Sequence, residues 1–180
     1  MNESGILKEE YLKLTPDELT KYISTHMKLE HEFRGEILAF CLEIEHFLDM
    51  IISRHYTFTK LRTKFLNDIS PEIGFRGKIK IFKKIEKKIL FPTLMNCGSK
   101  EKLIENLEDK ILGYRNSMTH DTSSMFENMK SSKKSKKTIH IIQNKTRKPQ
   151  QINATLQKDM EDTIRKTTRD LANILTRLDK

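Results

Sequence analysis

Residues 36–53 read Glu36-Ile37-Leu38-Ala39-Phe40-Cys41-Leu42-Glu43-Ile44-Glu45-His46-Phe47-Leu48-Asp49-Met50-Ile51-Ile52-Ser53. Ile37, Cys41, Ile44, Leu48 and Ile51 recur at alternating spacings of four and three, the repeat of one helical face. Phe40 and Phe47 widen the stripe, so this helix has apolar surface for two neighbours. With the helices read below it is expected to form a bundle.

Reading toward the N-terminus, Thr15-Pro16-Asp17-Glu18 is a helix start. Thr caps the first amides, Pro suits the first turn, and the acids face the positive end of the helix dipole. The helical pattern runs to about Leu29. Phe33-Arg34-Gly35 is expected as a joint, because Gly weakens a helix interior by ~1 kcal/mol relative to Ala.

Toward the C-terminus, a short helix is expected over 57–66, closed by Asn67-Asp68-Ile69-Ser70-Pro71. A basic amphipathic helix follows over 78–90, with Ile81, Phe82, Ile85 and Ile89 inside and Lys80, Lys83, Lys84, Lys87 and Lys88 outside. Pro92 and Gly98 bracket a loop. Ser99 then caps a helix with Leu103, Leu107, Ile111, Tyr114 and Met118 on one stripe. The fold class is all-α, with residues 1–130 forming the bundle.

From Ser123 the character changes. Ser131-Ser132-Lys133-Lys134-Ser135-Lys136-Lys137 is low-complexity and basic. A small β-hairpin is expected within 138–154, around a turn-rich segment at 144–150. Thr155 caps a last helix carrying Leu156, Met160, Ile164, Leu171, Ile174, Leu175 and Leu178, which needs a partner and is expected to pack back on the bundle. Residues 131–180 thus form an appendage to a single domain.

The net charge is +9 and the pI about 9.5. Such an excess favours polyanions, since each neutralised phosphate releases condensed counterions; the alternative is the Lys-heavy usage of an AT-rich genome. Trp is absent and aromatics make up 7% of the chain, so any grip on RNA is expected to be mainly electrostatic. Cys41 and Cys97 are too far apart for a CxxC pair and read as reduced small hydrophobes rather than a disulfide framework. No apolar run approaches the ~20 residues of a membrane span. The first residues do not resemble a signal peptide. The expectation is a cytoplasmic protein without membrane contact.

Tyr114-Arg115-Asn116-Ser117-Met118-Thr119-His120-Asp121 carries the chemistry. An Arg and a His five positions apart lie about 140° apart on a regular helix. To serve one site, the helix must end or distort near Asn116 and Ser117, or two copies must face each other. RNA is cut without metal when a base takes the 2′-hydroxyl proton and an acid protonates the leaving 5′-oxygen. Histidine, with an ordinary pKa near ~6.5, serves in either role. A guanidinium grips phosphate oxygens bidentately and offsets the charge that builds on five-coordinate phosphorus. The bland alternative is that both cations cap a helix end against its dipole.

Arg115-Asn116-x-x-x-His120 resembles the R-x(4–6)-H signature of HEPN-domain proteins, including a polar residue directly after the Arg. The likeness extends over roughly residues 30–130: a long apolar helix, a basic amphipathic helix, and a Leu-periodic helix leading into the signature. The resemblance implies a helical bundle that dimerises so that two signatures build one cleft. It also implies an endoribonuclease leaving 2′,3′-cyclic phosphate and 5′-hydroxyl ends, in a toxin–antitoxin or phage-defence setting. Arg115 would stabilise the phosphate, His120 would be general base or acid, and Asn116 would orient the signature or the RNA. No metal or cofactor is implied. Partners would be RNA, a second copy, and a cognate antitoxin or defence-complex protein. The alternative is a non-catalytic HEPN-like module binding RNA or protein. A DNA-binding regulator ranks last, since nothing marks a recognition helix.

Lys80, Lys83, Lys84, Lys87 and Lys88 are candidates for a phosphate-tracking face, and Lys133, Lys134, Lys136 and Lys137, with Lys145, Arg147 and Lys148, for a second gripping element; solvated surface is the alternative for both. Glu43-x-x-His46 has the spacing of di-iron bundles, but the second copy that chemistry requires is missing. His26 and His31 read as solvated. Glu45 or Glu36 is a candidate to orient the Arg–His site, with exposed helix charge as the alternative.

Overall fold

The computed structural model describes residues 15–86 and 100–120, the strands Thr122–Ser123, Ile139–Ile142 and Pro149–Ile152, and residues 154–178. The fold class is all-α, with one small sheet. Helix α1 runs over Pro16–Tyr56, α2 over Phe75–Glu86, α3 over Lys100–Glu105, α4 over Leu112–His120 and α5 over Ala154–Leu178.

The joint expected at Phe33-Arg34-Gly35 is absent: α1 is one helix of 41 residues. A Cβ built on Gly35 meets nothing, so the glycine marks no close approach. Its propensity cost is small beside the burial of Phe33 and Ile37 on either side. Arg34 Nε also pairs with Glu30 Oε1 at 2.8 Å, one turn back. The start of α1 is as expected and closes reciprocally. The Thr15 amide and hydroxyl each donate to Glu18 Oε2 at 2.9 Å, and the Glu18 amide donates to Thr15 Oγ1 at 3.3 Å. The backbone bond, then the hydroxyl bond, holds the Glu18 carboxyl below its ordinary pKa.

Residues 59–72 do not form the single short helix expected at 57–66. A 3-10 turn, one α turn, a π turn at Phe65–Ile69 and a second 3-10 turn follow one another. Asn67 and Asp68 therefore lie within helical backbone rather than closing it. In α2, which begins earlier than expected, the buried residues are Phe75, Lys78, Ile79, Phe82 and Ile85, while Ile81 is only half-buried.

Between α3 and α4 the helix widens into a π turn over Asn106–Ile111. Leu103, Leu107 and Ile111, all fully buried, are spaced by four. A regular helix would rotate each step by ~40°, and the wider turn keeps them in line. The distortion expected near Asn116 and Ser117 thus lies a turn or more upstream, and α4 continues through both residues to His120.

The chain divides into two compact units, which do not part at 130/131. One comprises Met1–Glu36 and Thr119–Gln157; the other comprises Ile37–Met118 and Lys158–Lys180. The first holds the sheet: β1 (Thr122–Ser123), β2 (Ile139–Ile142) and β3 (Pro149–Ile152), antiparallel in that order, with Ile139 opposite Ile152 and Thr122 opposite Ile142. The hairpin was expected, but β1 was not. Two residues carry too short a pattern to register.

The second unit holds the main core. Ile37, Cys41, Ile44, Leu48 and Ile51 of α1 are buried as their spacing requires, with Phe82 and Ile85 of α2, Leu103, Leu107, Ile111 and Met118. From α5 come Met160, Ile164, Leu171 and Ile174, in the same unit as the expectation of packing back requires. Leu156, Leu175 and Leu178 are only half-buried, and α5 starts at Ala154, which puts Thr155 inside its first turn. Thr163, Thr167 and Asp170 are buried polar members of α5. Thr167 Oγ1 donates to the Thr163 carbonyl at 2.8 Å, so its hydroxyl is satisfied within the helix.

Ser99, Cys97, Lys87, Lys88, Ile89, residues 131–137, Lys145, Arg147 and Lys148 lie outside the described residues, as do the side chains of His26 and His120.

Candidate functional site

Glu45 and Asp49 are one turn apart on α1, so both carboxylates project from one face. Lys78 of α2 reaches them both, with Nζ 2.9 Å from Glu45 Oε1 and 2.8 Å from Asp49 Oδ2. Its side chain is only 5% exposed, a burial that an ammonium tolerates when paired. Arg115 of α4 adds a second cation, with Nη2 3.8 Å from Glu45 Oε2. Its Cζ stands 5.5 Å from the centroid of the buried Phe75 ring, a cation–π distance. Two carboxylates and two cations thus join three helices, and Glu45 is the member shared by both cations.

Cys41 lies one turn before Glu45 and is fully buried. Burial, opposed by the Arg115 charge and reinforced by that of Glu45, pushes its thiol up to about 11. It is a packed hydrophobe, not a nucleophile. Tyr114, beside Arg115, is half-buried and hydrogen-bonded to the Thr163 side chain of α5. Burial raises its pKa, the Thr163 bond opposes that, and Asp159 adds to it. The residue before Arg115 is therefore tied to the last helix.

Of the residues singled out from the sequence, Arg115 sits in this cluster. Asn116 is half-buried on α4, and His120 is the last residue of that helix. Lys80 and Lys84 are exposed on α2. Lys83, placed with them on the outer face, pairs with Glu108 at 2.8 Å across an exposed surface, a bond of little energetic weight. Lys87, Lys133 and Lys134 fall outside the described residues. Glu43, His46 and His31 are exposed, and no group of His, Cys, Asp and Glu among the described residues could hold a metal ion. Glu36 is exposed as well, whereas Glu45 is a half-buried ion-pair partner.

Lys78, Asp49 and Phe75 were missed from the sequence. One signal was present: acids at i and i+4, in phase with Cys41, on the most apolar helix of the chain, call for a buried cation opposite. No helix among the described residues is long and apolar enough to cross a membrane. No family model, curated protein or solved structure matches this chain.

Proposed function

We propose that this chain is a metal-independent endoribonuclease of the HEPN type, acting as a homodimer in the cytoplasm. The observation that carries the reading is Arg115, which opens the Arg115-Asn116-x-x-x-His120 run on one helix and is held between the Glu45 carboxylate and the Phe75 ring. A guanidinium fixed in this way is preorganised for a phosphate, because its orientation is set before substrate arrives. Since α4 continues unbroken to His120, convergence of the two residue types on one phosphate calls for two copies.

The reaction needs no co-reactant. One imidazole takes the 2′-hydroxyl proton and the 2′-oxygen attacks phosphorus. The bond to the 5′-oxygen breaks, and that oxygen receives a proton from a second imidazole. The products are a 2′,3′-cyclic phosphate and a 5′-hydroxyl, with Arg115 countering the charge on the equatorial oxygens. A toxin or phage-defence role, with an antitoxin or defence-complex partner, rests on the family resemblance.

The test is cleavage of RNA by the purified full chain in EDTA. Wild type cuts, and His120→Ala loses about 10²- to 10⁴-fold in rate. Equal cleavage by the variant, or dependence on a divalent metal, overturns the reading. A second reading, a non-catalytic RNA- or protein-binding module, is favoured by the engagement of Arg115 with Glu45, which a purely architectural residue would share. Binding that survives both Arg115→Ala and His120→Ala, with no RNA cut, selects it.

A further inference from the structure

The last turn of α1 and the stretch that follows it combine two features that the proposed reaction does not use. Between Asp49 and Asp68 the chain has no acidic residue, but it has Arg54, His55, Lys60, Arg62 and Lys64. Within it three large apolar side chains face solvent: Phe58 is 85% exposed, Tyr56 55% and Leu61 51%. Single exposed hydrophobes are ordinary, but three within six residues, two of them aromatic, are a local concentration of apolar surface.

The backbone that carries these side chains is fixed. Thr57 ends α1 with its amide and its hydroxyl both donating to the Ser53 carbonyl. Phe58 is extended (φ −67°, ψ 151°), and its carbonyl accepts the Leu61 amide at 2.8 Å, which starts the next turn. The His55 and Tyr56 rings meet edge to face, with centroids 4.8 Å apart. Phe58 is thus a bare ring on a defined corner, with the exposed Lys60 and Lys64 following it.

We propose that Phe58 and Tyr56 form a base-stacking platform for single-stranded RNA, with Lys60 and Lys64 on its phosphates. Rings stack on unpaired bases of any sequence, and flanking lysines follow the backbone by charge. The absence of acids over this stretch suits a polyanion better than a protein surface of mixed charge. A duplex, with its bases already stacked, offers the rings nothing. The proposal extends the ribonuclease reading by naming the strand state of the substrate. It does not depend on cleavage, because it is read on RNA that cannot be cut.

The probe is a 2′-O-methyl oligouridine 12-mer with a central 2-aminopurine, titrated with the full chain. Binding quenches the fluorophore by stacking. Phe58→Ala weakens binding roughly tenfold or more and abolishes the quench, and Phe58→Trp restores both. Affinity for a 2′-O-methyl duplex is unchanged by either variant. Position 58 is so exposed that thermal unfolding of both variants stays at the wild-type midpoint. Unchanged affinity and quench in Phe58→Ala overturn the proposal. So does a variant that binds the oligonucleotide normally but no longer co-sediments with phosphatidylserine vesicles, or changes from dimer to monomer in sedimentation velocity. These side chains would then belong to a membrane or self-association surface.

Discussion

Arg115 Nη2 stands 3.8 Å from Glu45 Oε2, within ion-pair range but beyond hydrogen-bond length. The carboxylate therefore acts on the guanidinium through charge, while the Phe75 ring fixes the height of its central carbon. Glu45 keeps its other oxygen for Lys78.

That division makes Glu45 a positioning residue for the proposed reaction. Glu45→Gln keeps the shape but removes the charge that draws Arg115 toward α1. The expected result is a drop in RNA cleavage of about tenfold, equivalent to about 1.4 kcal/mol, with the pH profile unmoved because no proton-transferring group is altered. Single-turnover rates of wild type and variant across pH 5–9 measure this. A wild-type rate for Glu45→Gln would show the pair to be incidental to activity.

Much of the architecture was legible from periodicity. The stripes of α1 and α5 and the cluster at Leu103, Leu107 and Ile111 were placed from spacing alone, since burial of a helical face leaves a repeat. The errors have local causes. Gly35 read as a joint because propensity was weighed without the buried neighbours that outweigh it. The π turn was invisible because a run spaced by fours looks like a loose α stripe until its neighbours are known. Of the ion-pair cluster, Arg115 is the member that the motif singles out. Lys78 is not singled out, because nothing in a lysine-rich helix distinguishes the buried lysine from the exposed ones except the acids it meets. Phe58 went unnoticed because a count of aromatics does not say which of them face solvent.

Gly35 gives a direct check on that account. It lies in the middle of α1 with room for a methyl group, so Gly35→Ala is expected to stabilise the protein by ~0.5–1 kcal/mol. Gly77 is the control. A Cβ there meets Ile73 Cγ2 at 3.1 Å, and the crowding removes the gain. Urea denaturation of the two variants against wild type separates them. If Gly35→Ala destabilises, α1 is bent or interrupted in solution.

The Lys78 ammonium is the most buried charge of the cluster, and both carboxylates depend on it. Lys78→Met leaves a chain of similar volume but faces two partly buried carboxylates with no ammonium. Removing one side of such a network is expected to cost about 3 kcal/mol. Adding Glu45→Gln and Asp49→Asn recovers most of that loss, because no partly buried carboxylate is then left without its ammonium, and the charge that remains, Arg115, is the most exposed of the four. Chemical denaturation of the single and triple variants tests it. A loss under about 0.5 kcal/mol for Lys78→Met would mean that the ion pairs are solvent-screened ornaments of the surface.

Cys41 carries the pH prediction. Its thiol ionises near 9 when unperturbed and is pushed up to about 11 in the fold, by burial first, with Arg115 lowering it and Glu45 raising it. A raised value means that the folded protein keeps a proton the unfolded chain gives up. The contribution to stability is therefore complete below pH 9 and is lost as the pH climbs toward 11, by at most about 1.4 kcal/mol per pH unit. In a Cys97→Ser background, Cys41→Ala removes that slope. Tyr114, also raised by burial, is present in both proteins and cancels in the difference. Unfolding free energies measured from pH 8 to 11 should converge for the two proteins at the alkaline end, and the native thiol should resist iodoacetamide at pH 8 until urea is added. Rapid alkylation without denaturant, or parallel pH curves, would place Cys41 at an accessible surface and leave the central stripe of α1 without its core position.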